Sequence, residues 1–223
     1  MIEVVEREYK VGEGTKLKIG NINGAIRIEG YEGETIQLKA EKKWGLLGAE
    51  PKIKVKKEGN MFTIKVEQQK TFGVGIGGSS VNFNIRVPKG VEIEKAGNVN
   101  GAISIKNVEK AGKISTVNGS ISIENTSAEK ISAVNGSITA LLSRINDNIK
   151  ISTVNGRIEA YIPKDADAVI KATAVNGKID SEVPGELSKP PFHGPKSFNA
   201  VLGNGKYEVV LSTVNGTITI KSL

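Results

Sequence analysis

Apolar residues along this chain of 223 residues fall mostly two apart. From residue 35 to 87 the alternation is clean: Ile36, Leu38 and Ala40; Ile53 and Val55; Phe62, Ile64 and Val66; then Val81, Phe83, Ile85 and Val87. A period of two presents one side of a strand to a core, so four half-buried strands are predicted. Their connections are Trp44 to Pro51, Glu58-Gly59-Asn60 and Lys70 to Ser80. If these strands meander, the first and third connections share an end. That end would gather Trp44, Leu46 and Leu47 with Phe72, Val74 and Ile76, as an apolar contact patch or as a lid on the core.

A second pattern dominates from residue 98 onward. Val-Asn-Gly recurs with its asparagine at Asn100, Asn118, Asn135, Asn155, Asn176 and Asn215, in steps of 18, 17, 20, 21 and 39. The last step spans about two repeats and reads as a copy that has lost its motif. An outlying copy, Asn21-Ile22-Asn23-Gly24, lies near the start. Apolar residues alternate before each motif (Ile149, Ile151; Val209, Leu211) and after it (Ile103, Ile105; Ile121, Ile123), and they change parity across it. The chain must bend there. Asn-Gly forms tight two-residue hairpin turns, which would give an antiparallel meander. Alternatively the motif is a corner of a solenoid, with equivalent asparagines stacked in register as a structural ladder and glycine tolerating a positive φ. Joint recurrence of Val, Asn, Gly and the following Ile favours stacking, because a hairpin constrains only its two turn residues.

The predicted fold class is therefore all-β: a parallel β-helix-like solenoid of coils of about 17–21 residues, preceded by an antiparallel N-terminal section. The division is 1–97 for that section and 98–223 for the repeats, with one continuous core. β-Branched, glycine-punctuated composition agrees with it. The abundance of Lys, Glu and Ile resembles that of heat-adapted proteins.

Composition also narrows the chemistry. With no cysteine and a single histidine, disulfides, thiolate metal sites and cysteine nucleophiles are excluded. His193 has no second His or Cys beside it and reads as an ordinary loop residue. Gly73-Val74-Gly75-Ile76-Gly77-Gly78 lacks the following helix that a phosphate cradle needs. Neither a metal nor a cofactor is predicted. The formal charge of +7 includes a basic stripe, Lys39, Lys52, Lys54, Lys56, Lys65 and Arg86, interleaved with Glu41, Glu58 and Glu67. It reads as a solvated, ion-paired face, and without an aromatic platform it argues against nucleic acid. After the motifs the outward residues are Ser104, Ser120, Ser122, Ser137 and Thr139, with Glu159 and Asp180 apart from one another. Hydroxyls bind sugars but supply no acid–base pair, so the chain is predicted not to be an enzyme. No apolar run is long enough to span a membrane, and Met1 leads at once into strand-like sequence, which predicts a cytoplasmic chain.

The repeated Gly-(polar)-Ile/Val units, with Ile85-Arg86-Val87-Pro88 leading into them, resemble the putative adhesin, or head GIN domain, proteins of bacteria and archaea. The resemblance covers most of the chain, best from about 82 to 223. It implies a β-helix-like solenoid with no established enzymatic activity, serving as a scaffold or interaction module. The alternative is a polysaccharide-binding or polysaccharide-processing β-helix. Because the last copy, Ser212 to Ile220, closely matches the internal ones and no cap follows it, a homo-oligomer through the C-terminal end is expected, with Lys221 limiting further growth.

Overall fold

The computed structural model describes residues 1–46, 48–67, 78–190 and 194–223. Strands occupy most of it. In chain order they are β1 (Ile2–Lys10), β2 (Lys16–Gly20), β3 (Ile26–Tyr31), β4 (Thr35–Trp44), β5 (Lys52–Glu58), β6 (Met61–Glu67) and β7 (Ser79–Pro88). The repeats contribute β8 (Glu92–Asn100), β9 (Ile103–Lys106), β10 (Lys110–Asn118), β11 (Ile121–Glu124), β12 (Ser127–Asn135), β13 (Ile138–Leu141), β14 (Ile149–Asn155) and β15 (Ile158–Ile162). The last four are β16 (Ala168–Ser181), β17 (Glu186–Ser188), β18 (Lys196–Leu202) and β19 (Tyr207–Ser222). The four strands expected between residues 35 and 87 are β4 to β7. Ile36, Leu38, Ala40, Phe62, Ile64, Val81, Phe83, Ile85 and Val87 are buried.

Pairing runs in two ladders. The first carries the strands that precede the corner motif, in the spatial order β5, β6, β2, β8, β10, β12, β14, β19, β16, β18, β17. The second carries those that follow it: β1, β4, β7, β3, β9, β11, β13, β15, β19, β16. β16 and β19 are long enough to run through the corner and belong to both. A single cluster of buried side chains, almost all aliphatic, runs from Leu17 to Ile220.

Neighbouring repeats pair parallel and in register, with Asn118 opposite both Asn100 and Asn135. Each strand beside a motif finds its partner in another repeat, so the hairpin alternative does not describe the corners. A regular solenoid does not describe the whole either, and that expectation is corrected. The sheet mixes parallel with antiparallel pairs, strand length varies from 3 to 16 residues, and spatial order departs from chain order. Two causes are visible. The N-terminal strands pair antiparallel as β1–β4–β7 and β5–β6, and β4 joins the other ladder from β5, so they do not meander. At the far end, the 39-residue step is not a lost copy. It contains an antiparallel excursion in which β18 pairs with the first half of β16 and with β17. The chain then returns as β19, between β14–β15 and β16.

The expected positive φ is found at the first corners, Gly24 (φ 107°) and Gly101 (φ 150°), and not at the later ones. Gly136 does not have one, but a Cβ placed on it would lie 1.7 Å from the carbonyl oxygen of Gly119 in the adjacent rung. Close approach of stacked backbones excludes any side chain.

Candidate binding surfaces

Three surfaces of the stack expose repeated chemistry. At the corner, the asparagine amides form one continuous chain of hydrogen bonds. Asn100 donates to Asn23 (2.8 Å), Asn118 to Asn100 (2.8 Å), Asn135 to Asn118 (3.0 Å), and Asn155 to Asn135 (2.8 Å). Asn215 then donates to Asn155 (2.8 Å) and Asn176 to Asn215 (3.0 Å). All six motif asparagines are exposed, and the valines before them are 39–45% exposed, so amides and isopropyl groups form parallel ridges. Beneath the ridge, buried hydroxyls hold the corner carbonyls: Thr116 donates to Gly101 (3.1 Å), Thr153 to Gly136 (2.9 Å) and Thr213 to Gly156 (3.3 Å).

On the outward face of the first ladder, the residue five before the motif asparagine is lysine in nearly every rung. Lys18, Lys95, Lys113, Lys130 and Lys150 are successive register partners; Val210 and Lys171 follow. Two residues on, and therefore on the same face, stand Gly97, Ser115, Ser132, Ser152 and Ser212. No motif marks these lysines in the sequence. Their constant offset from the motif was the available signal. Of the basic stripe expected from the sequence, Lys39 pairs with Glu6 (2.7 Å), Lys54 with Glu67 (3.1 Å) and Lys56 with Glu58.

The second ladder carries Ser104, Ser122, Thr139, Glu159, Thr219 and Asp180 as one outward row. Glu159 and Asp180, far apart in sequence, thus stand on either side of Thr219. Glu159 is bonded to Lys221 (2.5 Å) and accepts from the Tyr161 hydroxyl (3.0 Å). The Lys221 hydrogen bond above all, then that of Tyr161, holds its carboxyl below the usual range, so it stays charged and is no proton donor at neutral pH. Lys221 is likewise engaged inside the sheet. Among the described residues no cluster of three or more His, Cys, Asp or Glu is placed to hold a metal ion.

Of the apolar patch, Leu47, Phe72, Val74 and Ile76 lie outside the described residues, as does His193. Trp44 is half-buried with the Lys42 ammonium 5.6 Å from its ring centre, and Leu46 is 86% exposed. Trp44 stands opposite Ser79, and Lys52 opposite Glu67, so the ends of β4 and β7 and those of β5 and β6 are paired. The C-terminal repeat is not at an end of the stack: Asn215 lies between Asn155 and Asn176. The strands at that end are β17 in the first ladder and β16 in the second. No helix among the described residues is long and apolar enough to cross a membrane.

Parallel rungs flanked by antiparallel strands, with amide, lysine and hydroxyl rows outside, define an all-β fold with a mixed parallel and antiparallel sheet. Within that class the chain belongs to the Toastrack DUF4097 family, whose model matches residues 95–221. A structure from Clostridium sporogenes ATCC 15579, named as a putative cell adhesion protein, is similar at 18% identity, with a TM-score of 0.50 and coverage of 99% of this chain and 100% of that one. At that identity the likeness concerns the fold. A putative adhesin from Bacteroides fragilis NCTC 9343 is similar at 15% identity, with a TM-score of 0.35 over 99% of this chain and 97% of its own. No curated protein matches the sequence.

Proposed function

We propose that the chain is a non-enzymatic interaction module of the adhesin type, which binds through the repeated outward rows of its stack. One observation carries this: the groups repeated in register are amides, hydroxyls and ammoniums, which hold ligands, while Glu159, which shares a row with Asp180, is locked in an ion pair with Lys221, and Glu124, which shares one with Glu29, in an ion pair with Lys106. Stacking repeats multiplies a weak contact by the number of rungs, and a ligand that is itself repetitive gains affinity from each. The name borne by the Clostridium protein agrees with such a role. The head GIN resemblance belongs to the same reading, since the units that carry it are the rungs of the stack. Glycan-array binding and light scattering over a wide concentration range test it. Capture of a defined glycan, or reversible self-association, is the expected result. A strict monomer that captures no glycan and hydrolyses a polysaccharide would replace the module with an enzyme.

A further inference from the structure

We infer that the lysine row on the first ladder is the binding site for an extended, carboxylated polysaccharide lying along the stack. The inference rests on the interaction-module reading and adds to it the ligand class and the residues. Lys18, Lys95, Lys113, Lys130 and Lys150 sit on adjacent strands, about 4.8 Å apart, so their stems leave the sheet over a span of about 19 Å. Lys95, Lys113, Lys130 and Lys150 are exposed. None of the five has a carboxylate within ion-pair distance among the described residues, although twelve other lysines of the chain do.

The acids nearest in sequence are already engaged: Glu94 bonds to Lys16 (3.6 Å) and Glu129 to Lys110 (2.9 Å). Like charges directly opposite one another on neighbouring strands repel, so the free protein holds this row against its own electrostatics. A polyanion removes that repulsion. A uniform line of one sign also draws an oppositely charged chain from a distance.

The ligand class follows from the flanks. Ser115, Ser132 and Ser152 lie beside the lysines, half-buried, and their hydroxyls make no hydrogen bond to the protein among the described residues. A sugar chain supplies both an anionic group and hydroxyls in each unit, and an extended pyranose chain advances by a distance comparable to the strand spacing. Single-stranded nucleic acid would call for aromatic platforms, and the row and its serine flank have none. A membrane would call for apolar side chains interleaved with the lysines; the row itself has only Val210 at its end, and the serine row separates it from the exposed valines of the corner. There the site stops, because Lys171 beyond Val210 is paired with Glu208 (2.5 Å).

The test is fluorescence anisotropy with labelled oligogalacturonate on the full chain, compared with neutral dextran and single-stranded DNA of similar length. Binding is expected for oligogalacturonate, weakening at least about tenfold between roughly 50 and 200 mM salt. The double variant Lys113→Glu/Lys130→Glu should lose about tenfold or more at low salt, and Lys113→Gln/Lys130→Gln less. Lys39→Glu, on the other ladder, should change nothing. Unchanged circular dichroism in all three variants keeps a folding defect from imitating the effect. Failure to bind oligogalacturonate, equal binding by the charge-reversed variant, or preference for DNA would each overturn the inference. If glycan or self capture persists while the lysine variants behave as wild type, the site is wrong and the interaction module stands. Loss of every capture activity in the wild type removes both.

Discussion

The antiparallel N-terminal strands and the parallel repeat stack bury the same kinds of side chain, yet they constrain sequence in opposite ways. In β4 and β7 the rule is alternation alone. Leu38 faces Ile85 and Ala40 faces Phe83, and the pairs share nothing beyond being apolar. In the stack, each position meets its own counterpart in the rungs on either side, so glycine lies on glycine and asparagine on asparagine. Alternation is satisfied by many residues. Self-stacking is satisfied by few, and this is why the repeat half reads as a motif while the first half reads as a pattern.

The sharpest way to break this contrast is to add one methyl group in each region. Gly136→Ala drives a Cβ against the Gly119 carbonyl and should destabilise by about 3 kcal/mol. Gly90→Ala, whose Cβ would meet nothing within 4 Å, should stay within about 0.5 kcal/mol of wild type. Urea denaturation measures both, and equal effects would show that the corner yields more readily than its geometry indicates.

Next in size are the buried threonines. Thr153→Val removes the donor to the Gly136 carbonyl and should cost about 1–2 kcal/mol. The equivalent residue in the preceding rung is Ala133, so Ala133→Thr should restore a missing bond and gain about 0.5–1 kcal/mol. A gain at 133 with a loss at 153 would establish that rungs are interchangeable at this position.

The amide ladder ranks lower because water competes for it. Asn135→Ala removes the bonds to Asn118 and from Asn155, both exposed, and a loss of about 0.5–1 kcal/mol is expected in thermal or urea melts. A loss several times larger would mean that the amides reinforce one another along the row.

The smallest effect belongs to the antiparallel region and depends on pH. Lys42 is buried, which pulls its pKa down, but the Glu3 and Glu50 carboxylates bonded to it leave it raised overall. Glu50 is held below its ordinary 4.5, first by the Lys42 hydrogen bond and then by that ammonium's charge. A carboxyl depressed on folding stabilises above its unfolded pKa and loses that contribution as pH falls through the folded value. A raised lysine acts in reverse: its contribution is complete below the unfolded 10.5 and disappears as pH rises through the folded value. Across the neutral range both contributions persist. Below about pH 4.5 the Lys42–Glu50 bond should weaken and the segment that follows β4 should loosen, seen as faster amide exchange at Ala49 and Glu50 than in β10. Uniform exchange in the two regions would show that Lys42 does not tie that segment down.

How much of this was legible follows from the same contrast. Alternation located β4 to β7 closely, and motif recurrence located the corners, because both are local signals. Which ladder each strand joined was not local: β4 and β5 are consecutive but belong to different ladders. The place of β19 was hidden because Asn215 resembles every other rung, and identical rungs carry no information about their order. The lysine row was legible at its fixed offset of five. It went unseen because lysine is common everywhere in the chain and only the register shows which lysines are neighbours.

The position of β19 sets the order in which the molecule can be made. As the chain emerges from synthesis, β8 to β15 can add rung upon rung, each onto its predecessor. β16 cannot, because its parallel partner is residues 207–222, which appear later. Until then, β14 and β15 each have one unsatisfied edge and β16 waits with only the β18 pairing available to it. The final strand enters like a keystone between two finished flanks. A chain interrupted before Tyr207 therefore lacks more than one rung: it leaves the edges of β14, β15 and β16 open at once, which are templates for pairing with another molecule.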